Sequence, residues 1–231
     1  MATHLITGAG SGIGGAVAEV LHGRGDDLVL LARNDERAAA LTERFPGSRT
    51  VVVDLADPDA VDRIAGLPDR LDSLLHVAGV VELAPVAELR AEHLREQLDV
   101  NLVAPALLTR TCLPALRAGR GIVVFVNSAA GLSAGASWAA YAASKFGLRA
   151  LADSLRSEEM ENGVRVTTLF PSRTATPMQE KVHEQEGRTY DSSRWISPET
   201  VAATMLHVLD LPRDATIPEV TVRPLVPWTP R

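Results

Sequence analysis

The chain has 231 residues, of which 46% are apolar, and it carries a formal net charge of −6 at pH 7. This length fits one α/β domain or two small ones, and the negative charge excludes the basic footprint of a nucleic-acid-binding protein. The single cysteine, Cys112, excludes an internal disulfide and suits a reducing compartment. Since the N-terminus also lacks a signal-peptide pattern, we predict a cytoplasmic protein.

Short apolar segments alternate with amphipathic segments along the chain, and these predict strands and helices respectively. Such alternation is typical of a parallel sheet covered by helices on both faces. We therefore predict a doubly wound, Rossmann-type α/β fold of about seven strands in a single domain, residues 1–231. The predicted strands cover residues 5–7, 28–32, 50–53, 73–77, 122–126, 164–170 and 220–222. The predicted helices cover 13–23, 34–44, a short segment from 58, two segments within 88–117, 137–161 and 198–208.

A glycine-rich loop, Thr7-Gly-Ala-Gly-Ser-Gly-Ile-Gly14, lies between the first predicted strand and the first predicted helix. Small residues let the backbone approach a pyrophosphate, and the helix N-terminus offers free N–H groups and the positive end of its dipole. The alternative is a plain glycine turn, but the strand and helix on either side favour a dinucleotide site. Its predicted members are Gly8, Ser11, Gly12, Ile13 and Gly14.

The end of the second predicted strand favours NADP(H) over NAD(H). An acidic residue there would accept hydrogen bonds from a ribose 2′-hydroxyl and repel a 2′-phosphate. This chain has Ala32 followed by Arg33, and a guanidinium suits a phosphate. Asn34 and Ser11 can add neutral hydrogen bonds. In the alternative interpretation Arg33 is solvated, or stacks on adenine while NAD binds.

Residues 121–144 carry no charge and are followed by Lys145. Their length would suit a membrane span, but their pattern changes from a β-branched strand to a Gly/Ser/Ala loop and then to an Ala-rich helix. We therefore interpret the stretch as buried within the fold and expect no membrane association. Tyr141 and Lys145 lie on one face of the helix because they are four residues apart.

Together with the glycine loop, this stretch resembles the short-chain dehydrogenase/reductase family over the whole chain. Ser128 precedes Tyr141 by 13 residues, which is the family's usual spacing. Ser172 and Thr174 depart from the family pattern, which has glycine at the first position and often valine or isoleucine at the second. The other matching positions are Asp54-Leu55, Ala78-Gly79, Asn101, Tyr141-x-x-x-Lys145 and residues 171–178.

The resemblance implies an NADP(H)-dependent oxidoreductase that transfers hydride between the nicotinamide and a carbonyl or secondary alcohol. It implies that Ser128 holds the substrate oxygen and that Tyr141 exchanges the proton. Lys145 would bind the nicotinamide ribose and lower the pKa of Tyr141, since a nearby ammonium favours phenolate. The further cofactor contacts that it implies are Asp54, Leu55, Ala78, Gly79, Pro171, Thr174 and Thr176, besides Tyr141 and Lys145.

Asn101 matches the family's fourth catalytic position, where the backbone carbonyl holds a water that leads to the lysine. Pro105 lacks an N–H, so the helical hydrogen bond to the Asn101 carbonyl cannot form. We therefore hypothesise that Pro105 leaves this carbonyl available for a proton relay. A simple helix kink is the alternative.

His76 stands where the family usually has asparagine, and we interpret it as a hydrogen-bonded core histidine. No second ligand lies at a suitable spacing, so no metal is predicted.

The polar segment 172–196 is predicted to be an irregular lid over the substrate. The substrate side is predicted to include Val80, Val81, Leu132, Trp138, Met178, Tyr190 and Trp195. This set suits a small neutral carbonyl or alcohol.

By resemblance, the helices at 101–117 and 137–157 would form the interface of a homodimer or homotetramer. The alternative function is a nucleotide-binding regulator without turnover on the same fold. A sugar-nucleotide epimerase is disfavoured, because only about 60 residues follow the sixth strand.

Overall fold

The computed structural model describes residues 1–225; residues 226–231 of the predicted domain lie outside the described part. Seven parallel strands form one sheet in the order β3-β2-β1-β4-β5-β6-β7. The predicted doubly wound, single-domain α/β fold is thereby confirmed. The strands are β1 Thr3–Thr7, β2 Asp27–Ala32, β3 Arg49–Val52, β4 Ser73–His76, β5 Ile122–Val126, β6 Arg165–Pro171 and β7 Glu219–Val222.

Helices cover both faces of the sheet, so the central strands are buried on both sides. In β5, Val124 belongs to one apolar cluster and its neighbour Val123 to the other. Within residues 1–225, no helix combines the length and apolar character needed to cross a membrane. The helices are α1 Gly12–Gly23, α2 Asp35–Arg44, α3 Pro58–Asp62, α4 Ala91–Leu98, α5 Ala104–Gly119, α6 Ala139–Glu159, α7 Pro177–Gln185 and α8 Pro198–Leu209.

The segment 172–196 is less irregular than predicted, because it contains helix α7. Thr176 caps this helix by accepting a hydrogen bond from the Gln179 N–H, and Pro177 occupies the first turn. This arrangement repeats the cap and proline of α3, where Asp57 accepts from the Ala60 N–H. Thr176-Pro177 therefore carries the sequence pattern of a helix start, although the polar composition around it favoured a loop.

The strand order reverses between β1 and β4, and this opens a crevice at the carboxyl ends of the strands. Thr7, the last residue of β1, holds the two strand ends together: its hydroxyl accepts hydrogen bonds from the N–H groups of Val77 and Ala78, at 3.0 and 3.1 Å. The fold thus fixes the segment after β4 against the glycine loop after β1.

Candidate active site

A cleft of about 840 Å³ lies at the carboxyl ends of the strands. All but two of the predicted site residues line it. Asn34 and Asn101 lie outside this lining, because their side chains are engaged elsewhere. The predicted residues that line the cleft are Gly8, Ser11, Gly12, Ile13, Gly14, Arg33, Asp54, Leu55, Ala78, Gly79, Ser128, Tyr141, Lys145, Pro171, Thr174 and Thr176.

The glycine loop fits a pyrophosphate, because several of its positions have no room for a side chain. Gly8 has φ of +76°, and a Cβ there would lie 2.8 Å from the Ala78 nitrogen. Gly12 has φ of +54° and is the first residue of α1. A Cβ on Gly14 would collide with the Gly8 carbonyl oxygen. The backbone at the start of α1 is therefore open to a phosphate group.

Three guanidinium groups line the end of the cleft beside β2 and α2. They belong to Arg33, Arg37 and Arg44. Arg44 donates to the Gly10 carbonyl at 3.1 Å and pairs with Glu19 at 2.6 Å. Arg37 was not predicted as a site residue, although it follows Arg33 by four positions. Arg44 was not predicted either, because its contact with the glycine loop depends on tertiary structure.

Two polar residues near this end use side-chain oxygens to support local structure. The Asn34 oxygen caps α2 by accepting from the Arg37 N–H at 2.9 Å. Asparagine is a favoured residue at a helix N-cap, and this role accounts for the absence of Asn34 from the lining. One oxygen of Asp54 accepts from the Ala56 N–H at 2.9 Å and stabilises the turn after β3.

Ser128, Tyr141 and Lys145 come together on the opposite wall of the cleft. Ser128 follows β5, whereas Tyr141 and Lys145 occupy one face of α6. The hydroxyl groups of Tyr141 and Ser128 form a hydrogen bond. The Lys145 ammonium donates to the Val126 carbonyl at 3.1 Å and lies 5.7 Å from the centroid of the Tyr141 ring.

Burial dominates the acid–base properties of this group. It raises the pKa of Tyr141 to about 12, against which the hydrogen bond from Ser128 acts weakly. Burial also lowers the pKa of Lys145 from 10.5 to about 8. The predicted lowering of the tyrosine pKa by Lys145 is absent here, since the ammonium lies over the ring and the phenol is desolvated. In this structure Tyr141 is therefore a protonated phenol at neutral pH.

Asn127 is a positioning residue that the sequence analysis missed. Its side-chain oxygen accepts from the Ser128 N–H at 2.8 Å, and its amide donates to the Lys145 carbonyl at 2.9 Å. A Cβ on Gly131 would collide with the Asn127 side-chain oxygen, so the turn after Ser128 requires that glycine. One buried amide thus ties the backbone of Ser128 to the helix that carries Lys145.

Two buried side-chain amides, one in α4 and one in the turn that follows it, also hold the loop after β4. Asn101 accepts from the Val80 N–H and donates to the Val80 carbonyl, both at 2.9 Å. Gln97 bonds in the same way to the N–H and carbonyl of Glu82, both at 3.1 Å. Because Val80 and Glu82 alternate with Val81, these hydrogen bonds direct the Val81 side chain into the apolar cluster that contains Tyr141.

The helix is irregular at Asn101, as predicted for the junction within 88–117. Residues Asp99–Val103 form a π-helical turn, in which the Ala104 N–H bonds to the Asp99 carbonyl. Pro105 follows and cannot donate to the Asn101 carbonyl. Such π-turns often occur at functional sites. The relay hypothesis for this carbonyl stays a prediction.

His76 is a buried core histidine, as interpreted from the sequence. Its Nε2 lies 2.8 Å from the Thr109 hydroxyl, and its ring stacks on Phe125 with centroids 4.9 Å apart. Burial, with a smaller effect of the Lys145 charge, lowers the pKa of His76 to about 3. The imidazole is therefore neutral at physiological pH.

The substrate side differs from the prediction in three residues. Leu132, Tyr190 and Trp195 do not line the described cleft. Tyr190 and Trp195 instead pack on His183, at centroid distances of 5.3 and 5.2 Å, and form a small aromatic cluster within segment 172–196. The predicted residues that do line the cleft are Val80, Val81, Trp138 and Met178.

The family model for short chain dehydrogenase matches residues 2–187. The chain is 31% identical over 186 residues to 3-oxoacyl-[acyl-carrier-protein] reductase FabG of Rickettsia conorii, which covers 80% of this chain and 77% of the relative. It is 28% identical over 240 residues to an oxidoreductase of Listeria innocua serovar 6a, covering 97% of each. A protein from Escherichia coli CFT073, assigned to the short chain dehydrogenases and solved with NADPH, superposes with a TM-score of 0.85 at 29% identity, covering 96% of this chain and 97% of that one.

Proposed function

The chain belongs to the short-chain dehydrogenase family of oxidoreductases, and we propose that it uses NADP(H) to interconvert a carbonyl compound and a secondary alcohol. One observation carries most weight: the hydrogen-bonded pair Ser128 and Tyr141, with Lys145 over the tyrosine ring, faces the glycine loop across one cleft. A proton donor, an oxygen-binding hydroxyl and a dinucleotide cradle are the three parts that carbonyl reduction needs.

Each residue of the catalytic set has a distinct role in this proposal. Ser128 donates a hydrogen bond to the substrate oxygen and holds it beside the phenol. Tyr141 gives its proton to that oxygen in reduction and takes it back in oxidation. Lys145 binds the nicotinamide ribose and so holds the cofactor beside the phenol, without lowering the pKa of Tyr141 in this structure. The raised pKa of Tyr141 keeps it protonated and ready for the reductive direction.

Bound NADP(H) would supply or accept the hydride. Gly8, Gly12 and Gly14 would accommodate its pyrophosphate, and Arg33 would bind the 2′-phosphate. Lys145 would also bind the nicotinamide ribose. Asp54, Leu55, Ala78 and Gly79 would contact the adenosine side, with Pro171, Thr174 and Thr176 on the nicotinamide side.

The Asn101 carbonyl completes the proposed proton path. Donation by Tyr141 leaves a phenolate that must regain a proton in each cycle. The π-helical turn and Pro105 disrupt the regular helical bonding around Asn101. That carbonyl is therefore a suitable acceptor for a relay to Lys145 and solvent.

A regulator without turnover is the second candidate, and the assembled Ser128–Tyr141–Lys145 set argues against it. The lid at 172–196 and the homo-oligomer remain proposals, as does the cytoplasmic location. A monomeric mass in solution at micromolar concentration would contradict the oligomer.

A panel of ketones, aldehydes and secondary alcohols, tested with reduced and oxidised NADP and NAD, examines the proposed function directly. We expect at least one ketone or aldehyde to oxidise NADPH, which is measured as a fall in absorbance at 340 nm. Tight NADPH binding without turnover across the panel would favour the regulator instead.

Replacement of Arg33 by alanine should weaken the binding of NADPH but not that of NADH. Loss of a charge-assisted contact with the 2′-phosphate should raise KM for NADPH about 10- to 100-fold, while KM for NADH changes little. Arg24→Ala is the matched control, since Arg24 pairs with Asp210 outside the cleft. An equal rise in both KM values would instead indicate stacking of Arg33 on adenine.

A further inference from the structure

We propose that the substrate is an uncharged ketone, or the corresponding alcohol, whose apolar body packs between α6 and α7. This inference rests on the proposed function and adds the chemical class that the substrate pocket selects. It separates this protein from oxidoreductases that act on hydroxy acids or amino acids, whose substrates carry a carboxylate.

Apolar side chains surround the ring of Tyr141. Tyr141 belongs to a cluster with Val81 and Val182, and Trp138 and Met178 pack against it. Trp138 and Tyr141 meet edge to face at a centroid distance of 5.7 Å. A hydrocarbon or aromatic group attached to the reacting carbonyl would therefore replace water with apolar contacts.

The cations of the cleft are committed to other roles or lie at its other end. Among the described lining residues, Arg33, Arg37 and Arg44 belong to the end formed by β2 and α2. Lys145 is bonded to the Val126 carbonyl and serves the catalytic set. Only Arg173 is then left, between β6 and α7, to meet a substrate anion.

Arg173 is already paired with a carboxylate of this chain, Glu186, which Arg188 also approaches at 3.8 Å. Its guanidinium makes two parallel hydrogen bonds to Glu186, at 2.9 and 2.5 Å, and lies 5.5 Å from the centroid of the Trp195 ring. Both charged side chains of the pair are largely shielded from solvent. Outside the cleft lining, Lys181 of segment 172–196 is paired with Glu82 at 2.8 Å.

A carboxylate near the reacting carbonyl would consequently enter an apolar pocket without a free partner. Burial of an unpaired charge is strongly unfavourable, whereas an ester of the same shape avoids that cost. The pocket should therefore discriminate between substrates of similar size by their charge.

The compounds 4-oxo-4-phenylbutanoate and its methyl ester test this directly, because they share one ketone and differ in charge at pH 7. With the preferred reduced cofactor, we expect kcat/KM for the ester to exceed that for the acid by about 100-fold or more. Binding of each compound to the cofactor-loaded protein, measured by calorimetry, should show the same order without requiring turnover. Equal or better use and binding of the acid would overturn the inference.

Glu186→Gln supplies a second test, since it removes the negative charge that accepts two hydrogen bonds from the Arg173 guanidinium. We expect this variant to lower the ratio of kcat/KM for the ester to kcat/KM for the acid about tenfold. Glu82→Gln is the matched control, because it releases Lys181, which does not line the cleft, and should leave the ratio unchanged. If no ketone is reduced with either cofactor but the ester still binds better than the acid, the proposed function fails while the pocket assignment stands. If ketones are reduced but kcat/KM is the same for the ester and the acid, only the pocket assignment fails.

Discussion

Tyr141→Phe should lower kcat by about 1,000-fold, because the phenol is the only proton donor that the proposed set places at the substrate oxygen. NADPH affinity should change by no more than a few fold, since the glycine loop and Arg33 are untouched. Steady-state kinetics, together with fluorescence titration of NADPH, measure the two quantities separately.

The second tyrosine of the chain provides the matched control. Tyr190 packs against His183 within segment 172–196 and does not line the described cleft, so Tyr190→Phe should keep near-normal kcat. Ser128→Ala should lower kcat as well, since the substrate oxygen would lose its second hydrogen-bond donor. Full turnover by Tyr141→Phe would show that another group donates the proton.

The strands were predictable because their apolar character is almost uninterrupted. Parallel strands covered on both faces have no polar face to obscure the pattern, and β5 was placed at Ile122–Val126, the bounds that the structure has. The glycine loop was equally visible, since close backbone approaches such as that of Gly8 to Ala78 leave only glycine as an option.

The supports of the site could not be predicted in the same way. Asn127 and Gln97 act through hydrogen bonds to segments far away in sequence, and an isolated asparagine or glutamine carries no periodic signal. Arg44 reaches the Gly10 carbonyl only after α2 folds back along the sheet. Such contacts depend on tertiary structure, which local patterns do not encode.

The protonation states were predicted least well. Tyr141 and Lys145 are one turn apart, and this spacing alone predicts that the ammonium lowers the phenol pKa. The depth of burial decides the outcome instead, and it acts against charge on both groups. Sequence spacing indicates which groups meet, but it does not indicate how much water reaches them.

Lys145→Met should abolish most turnover and yet stabilise the cofactor-free protein at neutral pH. Because the folded-state pKa of about 8 lies below the ordinary 10.5, the unfolded chain binds more protons between these values. Stability of the wild type therefore rises with pH through this window, and the cost of the buried charge is fully present below about pH 8. We expect the variant to gain about 1–3 kcal/mol at pH 7, after allowance for the lost hydrogen bond to Val126.

Urea unfolding at pH 7 and at pH 10 measures this gain and its disappearance. The advantage of Lys145→Met should shrink steadily above pH 8 as the wild-type amine loses its proton. Lys181→Met is the matched control, since Lys181 is the only other lysine in the sequence and is half exposed beside Glu82. It should gain no stability at either pH. A loss of stability in Lys145→Met at pH 7 would mean that the ammonium is better solvated than its burial implies, and that this charge is held in the active site at little cost to the fold.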